Sequence, residues 1–284
     1  MTYFPQINSA GLITQLPYQT SQSFKTVYQR PPASRPYGMA LRGGGFSGFP
    51  TGPLSRFAIS YSTLADTELA TLKTFFESQY GRFGQFTLLD PGGNLIQNSE
   101  DFSNLTWTSQ STSVTIAATG VADPWGGTRA STLTATSSNS LMSPIVIPSG
   151  SLPTGYILCG SLYARALSAG QSLSLGFVDS GFTVLGSSTQ ALPQNIWTRI
   201  QFAMAFSTSS YIRMLIGGFG TWNSTSISFF GPQCVPMPGA GGYQKTPDNY
   251  GLHTNCRFDT DVWMPTFVGP NESRIDLPIL EFNV

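Results

Sequence analysis

The chain has 284 residues, of which only 10% are charged, 14 basic against 14 acidic, for a formal net charge of zero. With no long-range field of either sign, this speaks against nucleic acid and anionic membranes as partners. Thirty glycines, 20 prolines and 13% aromatic residues point to short strands and many turns, not to disorder, in which aromatics are scarce.

A mass of 30.5 kDa predicts two domains. Cys159, Cys234 and Cys256 stand far apart, without a CxxC pair and with a single histidine, His253. That pattern speaks against a zinc site, leaves at least one thiol free and suits synthesis in a reducing cytoplasm. The opening MTYFPQINSAGLITQLPY lacks a basic stretch followed by an apolar one, so no secretory signal is expected. No apolar run reaches the ~20 residues of a membrane span, and a soluble protein without cofactors is expected.

Proline-punctuated extended chain opens the N-terminal part and leads to a glycine cluster, Gly43, Gly44, Gly45 and Gly48, which no GK[ST] follows. A phosphate loop is therefore not expected there. Leu54 to Ser62 alternates apolar and polar residues as a half-buried strand does. Thr67 to Ser78 predicts a helix with Leu69, Leu72, Phe75 and Phe76 on one face, Asp66 as its cap and Gly81 as its end. Phe83 to Leu89 returns to strand, and Asp90-Pro91-Gly92-Gly93 makes a turn.

From Asn94 to Pro247 the composition shifts. This stretch holds nine charged residues, and the shorter flanks hold the other nineteen. Strands are predicted at Val114 to Ala117, Ile145 to Ile147, Tyr156 to Ala164, Leu173 to Val178, Trp197 to Ala205, Tyr211 to Gly217 and Ser226 to Phe230. Short strands at this spacing predict an antiparallel jelly-roll sandwich. The expected fold is mainly β: a small β-sandwich or barrel domain with one α-helix, residues 1–93 plus 248–284, interrupted by a jelly-roll β-sandwich over residues 94–247.

Gly81-Arg82-Phe83, Asp90-Pro91 and Arg257-Phe258-Asp259-Thr260-Asp261, with the terminal LPILE, resemble the phage distal tail protein family of siphophages and gene transfer agents. In that family the Asp-Pro turn leads fairly directly to the RFDTD strand, whereas here about 150 residues intervene. The intervening part resembles carbohydrate-binding-like sandwiches of tail and fibre proteins. The likeness rests on the opening Asn94 to Ser103 with Trp107, on Trp197-Thr198-Arg199, and on Phe230-Gly231-Pro232-Gln233 leading to Tyr243-Gln244-Lys245-Thr246. An acidic residue usually follows the GPQ element; Cys234-Val235 stands there instead.

The resemblance implies a structural protein of the virion tail tip, made in the host cytoplasm. It would form a ring, a hexamer, between tail tube and hub or baseplate, with the insert adhering to host surface polysaccharide. The aromatic N-terminal arm (Tyr3, Phe4, Tyr18, Phe24, Tyr28, Tyr37) would pack on a neighbouring subunit.

Stacking on a sugar needs an accessible aromatic ring beside amides and hydroxyls. Trp125, in Asp123-Pro124-Trp125-Gly126-Gly127, and Trp222 with Asn223, in Gly220-Thr221-Trp222-Asn223, lie in turn-rich stretches that suit this. Each is also open to a plain surface role. Trp107 and Trp197 sit in strand-like segments and read as core. Asp259 and Asp261, two apart on a predicted strand, would share a face, with ion pairing to Arg82 or Arg257 the expected role. Asp123 or Asp179 could join a calcium site, although no DxDxDG run is present. His253 reads as a loop residue on the surface. The insert offers only Glu100, Asp101, Asp123 and Asp179 for a hydrolase, so no enzyme is expected. A purely structural decoration or a tail-associated glycan hydrolase are the alternatives.

Overall fold

The structure, a computed structural model, describes residues 4–8, 13–16, 23–29, 54–90, 93–104, 107–109, 114–135, 140–147, 156–206, 211–217, 225–246 and 251–281. The fold is mainly β with one helix, and the chain divides into two compact units. One comprises Tyr3–Leu88 with His253–Val284, the other Leu89–Leu252.

The discontinuous unit contains β1 (Phe4–Asn8), β2 (Ile13–Leu16), β3 (Ser23–Gln29), β4 (Leu54–Leu64), α1 (Asp66–Ser78) and β5 (Phe86–Leu89). The insert supplies β6 (Thr108–Ser109), β7 (Val114–Val121), β8 (Ala130–Ala135), β9 (Ser140–Ile147), β10 (Tyr156–Ala166), β11 (Ser172–Val178), β12 (Val184–Ala191), β13 (Thr198–Phe206), β14 (Ile212–Gly217) and β15 (Thr225–Val235). The chain then returns through β16 (Leu252–Phe258), β17 (Thr266–Gly269) and β18 (Glu272–Glu281).

Eight strands form the first sheet, in the order β2-β1-β5-β16-β18-β4-β3, with β17 paired to β18 off that path. Alternation in β4 buries Phe57, Ile59 and Tyr61, and alternation in β18 buries Ile275, Leu277 and Ile279. Period-2 patterning thus aims both sets at one face. Helix α1 covers that face with Leu72, Phe75 and Phe76, and Leu69 packs at the margin. Phe258 is the centre of the aromatic cluster. Its ring centroid lies 4.9–5.8 Å from those of Phe75, Phe76 and Phe86, each pair inclined as ring quadrupoles prefer.

The helix ends differ from expectation. Ala65 is the N-cap and Asp66 the first helical residue. The capping acceptors come from elsewhere, because an alanine has none to offer. Glu68 accepts the Ala65 N–H at 3.1 Å, and Asn271 Oδ1, from the β17–β18 turn, accepts the Asp66 N–H at 3.0 Å. At the other end Tyr80, not Gly81, takes the first left-handed position (φ 51), and Gly81 follows at φ 60. The Gly81 N–H reaches the Phe76 carbonyl and the Tyr80 N–H that of Glu77, the paired bonds of a Schellman ending.

The insert is a sandwich of two five-stranded sheets, β13-β10-β15-β8-β7 and β12-β11-β14-β9-β6. From β8 onward, apart from the β11–β12 hairpin, the chain passes back and forth between the sheets, which is the jelly-roll path. Phe177 on β11 spans the gap to Phe202 and Phe206 on β13. Gly160 on β10 lets the sheets close, since a Cβ there would sit 2.7 Å from Met214 Sδ.

The neck of the insert is a pair of backbones. Asp90 N–H donates to Gly251 O and Gly251 N–H to Asn94 O, both at 2.8 Å. Side chains are excluded there, because a Cβ on Gly93 would lie 2.9 Å from Gly251 Cα. All three cysteines are free and buried, and burial pushes their thiols up.

Candidate functional site

Two segments clamp the outer side of the β13-β10-β15 sheet, and both carry motifs noted in the sequence. Buried Asn94 joins them with all its side-chain capacity. Its Nδ2 donates to the carbonyls of Pro232 and Gln244, while its Oδ1 accepts the N–H groups of Ile96 and Cys234. Ser99 Oγ lies 3.0 Å from the Tyr243 hydroxyl and accepts the Thr246 N–H, and the Thr246 hydroxyl donates to the Ile96 carbonyl. The opening NLIQNSEDFS and the closing YQKT are therefore one structure. Trp107 is buried as expected, its indole N–H given to the Asn98 carbonyl.

Trp125 sits over this face. The turn that carries it is organised by Asp123, whose carboxylate accepts the N–H groups of Trp125 (2.8 Å) and Gly127 (3.1 Å) and the Nε of Arg129 (3.0 Å). Burial alone would push the Asp123 carboxyl up. The two backbone donors and the guanidinium outweigh it and hold the carboxyl below its usual range. The indole packs edge-on against Tyr163 of β10 and Phe230 of β15, at 5.2 Å in both cases, and lies nearly parallel to Tyr243 at 6.2 Å. It remains 54% exposed. Cross-strand register explains the grouping: Tyr163 is opposite Arg199 on one side and Phe230 on the other.

Polar groups rim the aromatic platform. Glu100 accepts from Tyr243 Oη (3.1 Å), Arg129 Nη1 (3.3 Å) and Lys245 Nζ (2.9 Å). Burial pushes the Tyr243 hydroxyl up, so it stays a donor. Arg199 places its guanidinium 5.4 Å from the Tyr163 ring and donates to Ser161 Oγ and Gln233 Oε1.

The other expected site residues fall out as follows. Trp222 and Asn223 lie outside the described residues, as do the side chains of the aromatic N-terminal arm and the glycines from Gly43 to Gly48. Trp197 precedes β13 and is only half-buried, under the Arg165 guanidinium at 4.9 Å. A calcium site at Asp123 or Asp179 does not fit: Asp123 is taken by three nitrogen donors, and Asp179 accepts the N–H groups of Gly181 and Thr183. Among the described residues no group of acidic, histidine or cysteine side chains could hold a metal. Asp101 binds the N–H and hydroxyl of Ser103. Each of the four insert carboxylates thus has a local structural task.

In the discontinuous unit, β16 ends at Phe258, so Asp259 and Asp261 lie in the bend beyond it, not on the strand. The bend is shaped to receive Arg82, whose Nη2 donates to the Asp259 carbonyl at 2.7 Å and whose backbone N–H donates to Asp261 Oδ1 at 2.9 Å. Two of the three sequence elements on which the tail-protein resemblance chiefly rests therefore touch. His253 is on β16, not in a surface loop; its Nδ1 lies 3.0 Å from Glu281 Oε2 and its ring 4.6 Å from that of Phe57.

No family model and no curated protein sequence matches the chain. Solved structures similar to it include an arabinose-bound α-L-arabinofuranosidase, at 13% identity and TM-score 0.42, over 52% of this chain and 27% of that one. Another is the CBM22-1 xylan-binding domain of Paenibacillus barcinonensis Xyn10C, at 13% identity and TM-score 0.38, over 53% of this chain and 99% of the domain. A third is the enzymatically active domain of bacteriophage CBA120 tailspike protein 4, at 15% identity and TM-score 0.35, over 51% of this chain and 21% of that one. The chain thus spans about a quarter of the arabinofuranosidase, and likeness at these levels assigns no ligand or activity.

Proposed function

We propose that this chain is a non-catalytic subunit of a phage tail tip whose inserted sandwich binds host surface glycan on the Trp125 platform. The observation that carries the glycan reading is the half-exposed indole, fixed by the Asp123 turn and wedged against Tyr163 and Phe230, with the exposed donors of Arg129 and Lys245 on the same face. An aromatic plane beside hydrogen-bonding groups is what a pyranose ring requires. The Asp123 carboxyl is held below its usual range, the opposite of what a general acid needs, and Glu100 is tied to Lys245, Arg129 and Tyr243, which favours binding over hydrolysis.

The tail-tip part rests on the resemblance of the flanks, and exposed apolar side chains support assembly. Tyr80, Phe83, Met264 and Phe267 are each about three-quarters exposed. They lie in two segments that the Arg82–Asp261 contact brings together, and apolar surface of this kind marks interaction sites. A ring of subunits around the tail axis would present several inserts at once and raise avidity for a weakly held sugar.

One observation favours a spacer without sugar binding: edge contacts with Tyr163 and Phe230 already cover about half of Trp125. Calorimetry with bacterial surface polysaccharide separates the two. Trp125→Ala should abolish binding while leaving the thermal transition within a few degrees of the parent. Wild-type binding by a folded Trp125→Ala protein would sink the platform. Light scattering and electron microscopy of purified tails test the ring; a monomer present in fewer than three copies per particle would sink that part.

A further inference from the structure

The chain's zero net charge conceals a local asymmetry on the glycan face. Of the insert's five cations, four (Arg129, Arg165, Arg199 and Lys245) come together on or beside the outer face of the β13-β10-β15 sheet, while Arg213 belongs to β14 in the other sheet. Two carboxylates accompany them, and both are sunk beneath the surface. The Asp123 and Glu100 side chains are 0% and 7% exposed, whereas their partners Arg129 and Lys245 are 47% and 56% exposed. What solvent meets is the positive member of each pair.

Arg165 and Arg199 go further. Among the described residues neither has a carboxylate within ion-pair distance, and the Nε of each is buried without a hydrogen-bond partner. Arg199 gives its Nη2 only to the neutral oxygens of Ser161 and Gln233. The two flank Tyr163: Arg199 is its cross-strand partner, and Arg165 is two residues along β10 on the same face. Trp125 touches the same tyrosine. An exposed indole and two guanidiniums with no carboxylate partner are therefore separated by a single ring, the span of one or two sugar residues. Guanidinium forks are shaped to receive carboxylates.

We infer that the platform selects an acidic polysaccharide, one whose pyranose rings carry carboxylates, the ring stacking on Trp125 and the carboxylate reaching Arg165 and Arg199. The inference rests on the glycan-binding reading and names its ligand class. A polynucleotide would also supply rings and anions. The sugar is favoured because only four cations gather at this patch, in a chain of zero net charge, whereas a polynucleotide is held by many phosphate contacts.

The test is titration calorimetry of the full-length protein with oligogalacturonate and with a neutral xylo-oligosaccharide of equal length, at low and at high salt. The acidic oligomer should bind at least about tenfold more tightly at low salt, and added salt should erase most of that margin. Arg165→Gln, which removes no side-chain hydrogen bond among the described residues, should lower the margin, and Arg165→Gln with Arg199→Gln should abolish it, with circular dichroism confirming the fold. Equal binding of both oligomers by the parent overturns the acidic preference and leaves the platform intact. Binding of neither overturns both readings. Competition by oligothymidylate at comparable affinity overturns the inference in favour of a nucleic-acid surface.

Discussion

The Asp261 carboxylate accepts the backbone N–H of Arg82 at 2.9 Å across 179 residues of sequence. It also crowds Gly81, where a Cβ would stand 2.8 Å from Asp261 Oδ1 on a backbone at φ +60. The flanking ion pairs are long, 3.7 and 3.9 Å, and share an arginine that is 58% exposed, so they contribute little. The N–H bond is the larger effect. Asp261→Ala should destabilise the discontinuous unit by about 1 kcal/mol, and Asp261→Asn, which keeps the acceptor, by less. Gly81→Ala should cost about 1–2 kcal/mol from the left-handed backbone alone. Urea denaturation of the three variants checks the order; Asp261→Asn falling as far as Asp261→Ala would mean that charge matters more.

Asn271 performs two tasks that different substitutions separate. It adopts φ 57 in the β17–β18 turn and caps α1 through Oδ1. Asn271→Gly keeps the turn and loses the cap, at about 1 kcal/mol. Asn271→Ala loses the cap and strains the turn, so it should cost roughly 1 kcal/mol more. Equal midpoints for the two variants in thermal unfolding would refute the turn contribution.

Asp123 gives the insert a pH dependence whose direction is fixed. Its folded pKa lies below the ordinary 3.8, so the stability it contributes is present above that value and disappears as pH falls through the folded pKa. Thermal scans should show the insert's transition dropping below about pH 4. Asp123→Asn should lower stability at neutral pH and flatten this acid limb, because an amide cannot lose a charge. An unchanged acid limb in that variant would assign the dependence to another carboxylate.

β5 and β16 are neighbours in the first sheet, so a short turn can replace everything between them. Joining Leu88 to His253 through a few Gly and Ser residues should leave the discontinuous unit folded, with its tryptophan, Trp263, still against Phe76. Loss of the cooperative transition in that shortened chain would show that the unit depends on the insert.

The sequence made the elements with strong apolar periodicity legible. The helix appears at Asp66–Ser78 against the expected Thr67 to Ser78, and β10, β11 and β14 begin and end within two residues of expectation. Strands not foreseen include β8 (ASTLTA) and β12 (VLGSSTQA), short in large apolar residues, and β12 is a sheet edge whose residues stay partly in water. Their pairing partners supply the order that their own side chains do not signal. Phe83 was expected in a strand and lies instead in the helix ending, because two left-handed residues at Tyr80 and Gly81 use up the intervening chain. At the candidate site, Trp125 stands out by its turn and Arg199 and Phe230 only as parts of the sandwich motifs, while nothing in the sequence singles out Tyr163. Their adjacency depends on register between strands far apart in sequence, which no local pattern records.

The touching backbones of Gly93 and Gly251 bear on the order in which the chain folds. β4 and β18 must pair from opposite sides of the insert, and closing an unstructured loop of that length costs about 3 kcal/mol more entropy than closing a tight turn. A sandwich that has already folded holds its own ends together and removes that cost, so from the sheet's point of view the long insert becomes a hairpin. Protection of β11 and β14 amides should therefore precede that of β4 and β18 in pulse-labelled hydrogen exchange during refolding, and simultaneous protection would argue for a single folding nucleus.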